Sequence, residues 1–177
     1  MADDRHPGRP AALLLDFGSV VTRSVFEIAD VAERRLGLLP GALYWRGALD
    51  PAHDALWRDM QADLITERAY WEIRAAEIGA CLGKAWTPLD FFRAMRGGDL
   101  NEDVRPEMVA LVGDAKAAGL KVGILSNELE LFAGREAMEG LDVLRLMDFV
   151  IDGTHTGILK PDPRAYAMAA EKFSEPP

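Results

Sequence analysis

Hydrophobic residues along this chain follow two rhythms. Residues 11–15 and 121–125 are short apolar runs without alternation, as expected of strands covered on both faces. Residues 148–151 read as a third, shorter strand. Elsewhere the apolar positions return every three or four residues, the spacing of one helix face. Ser24 and Glu27 form a capping box ahead of Val25, Ile28, Ala32 and Leu36, and Gly37 ends that segment. Asp50 before Pro51 marks a second helix start, with Leu56, Met60 and Leu64 on one face. Thr66 opens a third helix carrying Tyr70, Trp71, Ile78 and Leu82. Thr87 and Pro88 open a fourth, carrying Phe91, Phe92 and Met95 and stopping at Gly97 and Gly98. Helices over 106–119, 128–138 and 163–173 follow.

Strands separated by helices predict an α/β fold with a parallel sheet and right-handed crossovers. Between the first strand and residue 98 the pattern is helical only. The expected organisation is a flexible tail over 1–10, an α/β core from 11–22 and 100–177, and a helical insertion over 23–99. The tail lacks the basic-then-apolar plan of a signal peptide. With 49% hydrophobic residues among 177, a sizeable core can be buried.

The formal net charge of −9 argues against a nucleic-acid or acidic-membrane partner, each of which needs a positive surface. Cys81 is the only cysteine, so neither an intrachain disulfide nor a cysteine-based metal site is available. The expected setting is the cytoplasm, with a small-molecule partner.

Three places carry candidate chemistry. Asp16 follows the first strand, at the end where open α/β sheets place their ligands, and a carboxylate there can act as a nucleophile. Gly18 and the small residues after it let the backbone turn and present amides to an anion. Ser126 and Asn127 end the second apolar run, where a hydroxyl and neighbouring N–H groups can hold phosphoryl oxygens. Ser126-Asn127 also serves equally well as the cap of the helix that follows. Lys160 stands in Lys160-Pro161-Asp162-Pro163, a loop stiffened by two prolines, and its ammonium can stabilise charge during group transfer. The four tryptophans, Trp45, Trp57, Trp71 and Trp86, all fall in the helical insertion and read first as packing, then as a wall over a substrate. His155 lies on the approach to Lys160.

The ordered set of Asp16, Ser126-Asn127 and Lys160-Pro-Asp-Pro, with a helical insertion between the first two, resembles the haloacid dehalogenase superfamily with a helical cap. The resemblance implies a Rossmann-like core, incomplete here, with an all-helical cap inserted after the first strand. It implies Asp16 as nucleophile, Ser126 and Asn127 as holders of the transferred group, and Lys160 as charge stabiliser. It also implies Mg2+, bound by Asp16 and the Gly18 backbone carbonyl, and phosphate monoesters as substrates. Two departures stand out. Gly18 occupies the place of the family's second aspartate, its general acid and base, and the chain stops before the family's acidic fourth motif. The reading is therefore a truncated phosphatase whose uncovered first strand invites a homodimer. A metal-free 2-haloacid-dehalogenase-like hydrolase and a non-catalytic binding module are the alternatives.

Overall fold

The computed structural model describes residues 10–174, so the expected tail over 1–10 lies, except for Pro10, outside the described residues. The apolar runs form strands β1 (Ala12–Leu15), β2 (Lys121–Ser126) and β3 (Phe149–Asp152). They make one parallel sheet in the order β1-β2-β3, confirming the α/β class. Because strand side chains alternate between faces, β2 feeds two cores. Val122 and Ile124 join Leu15, Phe17, Val112 and Leu141 on one face. Leu125 joins Ile151, Ala165 and Ala169 on the other. Helix α5 (Pro106–Ala117) supplies Val112, and α9 (Pro163–Ser174), the last helix among the described residues, supplies Ala165 and Ala169. The Asp148 carboxylate clips the start of β2 by accepting the Val122 N–H at 2.7 Å and the Lys116 ammonium at 2.8 Å.

The helical stretch leaves and rejoins the sheet region through a clasp. Thr22 and Val104 form an antiparallel bridge. The Arg23 N–H donates to the Asp103 carbonyl at 2.8 Å and the Arg105 N–H to that of Val21 at 2.9 Å. Between these points lie α1 (Ala29–Leu36), α2 (Ala55–Gln61), α3 (Glu67–Cys81) and α4 (Pro88–Arg96). They pack around a cluster of their own, with Phe26, Trp45, Tyr70, Trp71, Phe91 and Phe92 at its centre. Trp45 and Trp71 are buried and Trp57 and Trp86 pack partly buried against the same cluster. Among the described residues no helix is long and apolar enough to cross a membrane.

Three local expectations need correction. Ser24 and Glu27 do exchange their capping hydrogen bonds, at 2.7 and 3.2 Å, but they close a turn, and helix α1 begins only at Ala29. Asp50-Pro51 starts one tight turn. The working cap of α2 is Asp54, whose side chain accepts the Trp57 N–H. The helix expected over 128–138 is two short ones, α6 (Leu129–Ala133) and α7 (Arg135–Glu139), broken at Gly134 with φ 83°.

Asp54 is the polar anchor of this helical layer. It is 1% exposed and accepts from the Tyr70 hydroxyl at 2.8 Å, the Arg74 guanidinium at 2.6 Å and the Gly47 N–H at 3.2 Å. Burial pushes its pKa up, but the Trp57 N–H, the Tyr70 hydroxyl and Arg74 together hold it below the usual aspartate value. A depressed folded-state value makes its contribution complete above the ordinary aspartate range and lost as pH falls through that range. Asp54→Asn is expected to cost about 1–3 kcal/mol, because the buried donors lose a charged acceptor while Arg74 keeps its 2.7 Å pair with Glu77. Urea unfolding at neutral pH measures it, and the gap between variant and wild type should narrow in acid.

Candidate active site

Parallel register brings the site together. Leu15 is level with Ile124, and Ser126 with Asp152, so Asp16, Ser126 and Asp152 emerge on the same edge of the sheet. Asp16 is extended, at φ −77° and ψ 158°. Its Oδ1 accepts the Phe17 N–H at 2.7 Å. The chain then folds through a tight turn, Phe17–Val21, in which Ser19 takes φ 64°. A non-glycine residue there costs of order 1–2 kcal/mol, and the turn leaves Gly18 and Ser19 exposed beside the carboxylate.

Lys160 arrives from the loop before α9, and its Nζ lies 2.8 Å from Asp16 Oδ1. Asn127 fixes that loop. Its Oδ1 accepts the Lys160 N–H at 2.6 Å and its Nδ2 donates to the Lys160 carbonyl at 3.2 Å. The Asn127 side chain thus holds the backbone that carries the ammonium. Asp152 fixes the neighbouring loop, accepting the Leu129, Glu130 and Thr154 N–H groups at 3.1, 2.8 and 2.9 Å. Gly153, which begins the short helix α8 (Gly153–Thr156), is required by contact: a Cβ there would stand 2.3 Å from the Asn127 carbonyl oxygen.

These groups share one cavity of about 160 Å³, room for a small molecule. Asp16, Gly18, Ser126, Asn127 and Lys160 line it from the sheet side. Glu67, Trp71, Phe92 and Arg96 line it from the helical layer. All of the expected site residues are therefore brought together, and Trp71 is at once packing and wall. His155 is not among the lining residues; its Nε2 lies 2.8 Å from Glu130 Oε2.

Four residues at the site were not legible from the motifs: Glu67, Arg96, Glu128 and Asp152. Glu67 and Trp71 stand one helical turn apart on α3, and the indole N–H donates to Glu67 Oε1 at 3.4 Å. That spacing was the available signal. Glu67 is solvent-exposed on α3, yet the protein packed around it, first, and then the Glu128 and Asp16 charges push its carboxyl above its usual range, against Lys160 and the indole. Glu128, nearly buried, pairs with Arg68 of α3, whose Nε lies 3.0 Å from Oε1. Arg96 pairs with Asp103 at 3.4 Å.

The magnesium implied by the resemblance finds a poor donor set. Among the described residues no group of three or more His, Cys, Asp or Glu side chains stands together to hold a metal ion. Asp16, the one expected carboxylate ligand, has Lys160 on its Oδ1. These residues do not fit a divalent cation that binds mainly through several carboxylate oxygens.

Comparison with known proteins agrees with the fold. A family model described as haloacid dehalogenase-like hydrolase matches residues 10–177. A Mycobacterium tuberculosis protein named as a phosphatase is 33% identical over 98 residues, 55% of this chain and 42% of that protein. The match thus spans well under half of the relative's length. The structure of HAD-hydrolase YfnB from Bacillus subtilis, solved bound to magnesium, superposes with a TM-score of 0.67 at 15% identity, over 96% of this chain and 75% of that one. An L-2-haloacid dehalogenase superposes with a TM-score of 0.57 at 24% identity, over 93% and 73%.

The hydrogen bonds between Asn127 and Lys160 yield a direct expectation. Asn127→Ala should lower stability by about 1–2 kcal/mol and free the Lys160 loop. Hydrogen exchange would show it as faster exchange of the Lys160 amide, with the Asp54 network unchanged.

Proposed function

Since this chain belongs to the haloacid dehalogenase-like hydrolases, we propose that it hydrolyses small phosphate monoesters through an aspartyl-phosphate on Asp16. The observation that carries this reading is the 2.8 Å pair of Asp16 and Lys160 in a cavity shared with Ser126. The relative named as a phosphatase supports it over the 98 residues matched. In this reading residues 23–99 act as a cap that closes over the substrate.

Asp16 attacks phosphorus with its free carboxylate oxygen, and the ester P–O bond breaks with its electron pair leaving on the alcohol oxygen. Water then attacks the phosphorus, and the pair from the P–O bond to Asp16 restores the carboxylate. Lys160 counters the charge that gathers on the phosphoryl oxygens. The Ser126 hydroxyl donates to one of those oxygens, and Asn127 keeps Lys160 in place. Magnesium is given no step, because the described residues do not supply its ligands.

The same donor set favours a second reading. An Asp16 carboxylate without a metal partner can displace halide from the carbon of a 2-haloacid, and water can then cleave the ester formed.

One experiment addresses both readings. The purified chain is offered p-nitrophenyl phosphate and 2-chloropropionate, with inorganic phosphate and chloride assayed. Phosphate release that drops at least about a thousandfold in Asp16→Asn is expected, since removing a nucleophile costs that much or more. Chloride release instead would install the second reading. Release of neither by well-folded wild type would sink both.

A further inference from the structure

Gly18 has no side chain to carry a proton, and among the described residues the sheet side of the cavity offers no carboxyl beyond Asp16 and the Arg68-paired Glu128. The alkoxide formed when the ester bond breaks must gain a proton, and the attacking water must lose one. Three carboxylates line the cavity: Asp16, Glu128 and Glu67. Asp16 is the attacking group and Glu128 is paired with Arg68. Glu67 receives the Trp71 indole N–H at 3.4 Å, a long contact from a neutral donor. It sits at the first turn of α3 and lines the same cavity as Asp16 and Lys160, close enough to feel both charges.

We propose that Glu67, carried by the helical layer, is the proton donor and acceptor that Gly18 cannot be. This inference rests on the phosphatase reading. In the first half, Asp16 bonds to phosphorus, the ester P–O electron pair moves to the leaving oxygen, and the Glu67 carboxyl gives that oxygen its proton. The alcohol departs and Glu67 is left as carboxylate. In the second half, Glu67 takes a proton from water as the water oxygen bonds to phosphorus. The electron pair of the Asp16–phosphorus bond returns to Asp16, phosphate leaves, and Glu67 is again protonated.

The charges facing Glu67 suit this cycle. Asp16 and Glu128 disfavour its ionised form and Lys160 favours it, while crowding by the cleft walls works with the carboxylates. Arg68 spends its charge on Glu128, and Arg96, at the far wall, is paired with Asp103. A carboxyl whose pKa is raised holds its proton better than an ordinary glutamate, which suits it to donate one to a leaving alkoxide. Both layers are needed for turnover: the nucleophile belongs to one and the proton carrier to the other.

The test compares two leaving groups. Ethyl phosphate releases a strongly basic alkoxide that needs a proton, whereas p-nitrophenyl phosphate releases a stable phenolate that does not. In Glu67→Gln, turnover of ethyl phosphate should fall by about 10²–10⁴-fold, the usual worth of a general acid or base. With p-nitrophenyl phosphate the variant should keep a fast burst of one equivalent of nitrophenolate, then slow as water attack lacks its base. The decline of the wild-type ethyl phosphate rate at high pH, as Glu67 loses its proton, should vanish in the variant. Gly18→Asp in the Glu67→Gln background should restore part of the rate, because a Cβ at Gly18 meets nothing within 4 Å. Matched thermal melts would show that each variant folds. Wild-type turnover with Glu67→Gln unchanged, or slowed equally on both esters without a burst, would overturn this inference alone. Wild type releasing phosphate from neither ester would overturn the phosphatase reading and this inference with it.

Discussion

Everything at the site depends on the parallel register of three short strands. A parallel sheet sets all its carboxyl ends on one edge, so residues that follow different strands meet however far apart they lie in sequence. Asp16 and Ser126 are 110 positions apart, from 126 minus 16, and line one cavity because Leu15 is level with Ile124. A slip of one residue would turn Val122 and Ile124 away from their core and move Leu125 into it. The two cores on opposite faces of β2 therefore fix the register, and the register fixes the site. Packing here is the cause of the chemistry.

The contrast between Asp54 and Asp16 shows how one side chain is assigned to stability and another to reactivity. Asp54 is buried and surrounded by four donors, Gly47, Trp57, Tyr70 and Arg74. Its hydrogen-bonding capacity is spent, and its removal leaves the buried Arg74 guanidinium with Glu77 as its remaining carboxylate partner. Asp16 has nearly half of its side-chain surface open, at 45%, and meets Lys160 through one oxygen. An ion pair so exposed contributes little to stability, of order 0–1 kcal/mol. Its ammonium is held by the loop that Asn127 anchors, so the geometry persists without the pair having to hold it. A carboxylate with a free oxygen, a neighbouring cation and an open cleft is poised to accept a ligand.

How much of this was legible beforehand follows from range. The strands were read correctly from apolar runs, since a strand buried on both faces leaves that mark in its own residues. The helices over 66–82 and 87–97 were also read well, because Thr66 and Thr87 do accept the N–H groups of Ala69 and Asp90. Asp50-Pro51 misled because the cap signal was sound locally while Asp54, four residues on, won through contacts with Tyr70 and Arg74 that no local pattern records. The break at Gly134 was equally hidden: its φ of 83° is allowed by glycine but not demanded by it. Asp16, Ser126, Asn127 and Lys160 were expected to converge, and they line one cavity because each adjoins a strand end or a stiff loop. Glu67 and Arg96 were missed because they reach the cavity from α3 and α4, through the fold of the whole helical layer.

The connection between the layers is concentrated in the segment 126–130. Ser126 lines the cavity, Asn127 holds the Lys160 backbone, Glu128 pairs with Arg68 of α3, and the Leu129 and Glu130 N–H groups rest on Asp152. Five consecutive residues thus tie the sheet edge, the lysine loop and the helix that bears Glu67. The Phe92 and Phe132 rings, 5.0 Å apart, add an apolar contact between α4 and α6 beside them. Because its contacts run to all three, a shift of this segment toward one partner pulls on the others. The ammonium beside Asp16 and the first turn of α3 are consequently positioned by the same short piece of chain. That common support links Asp16 and Glu67, which line one cavity from separate layers.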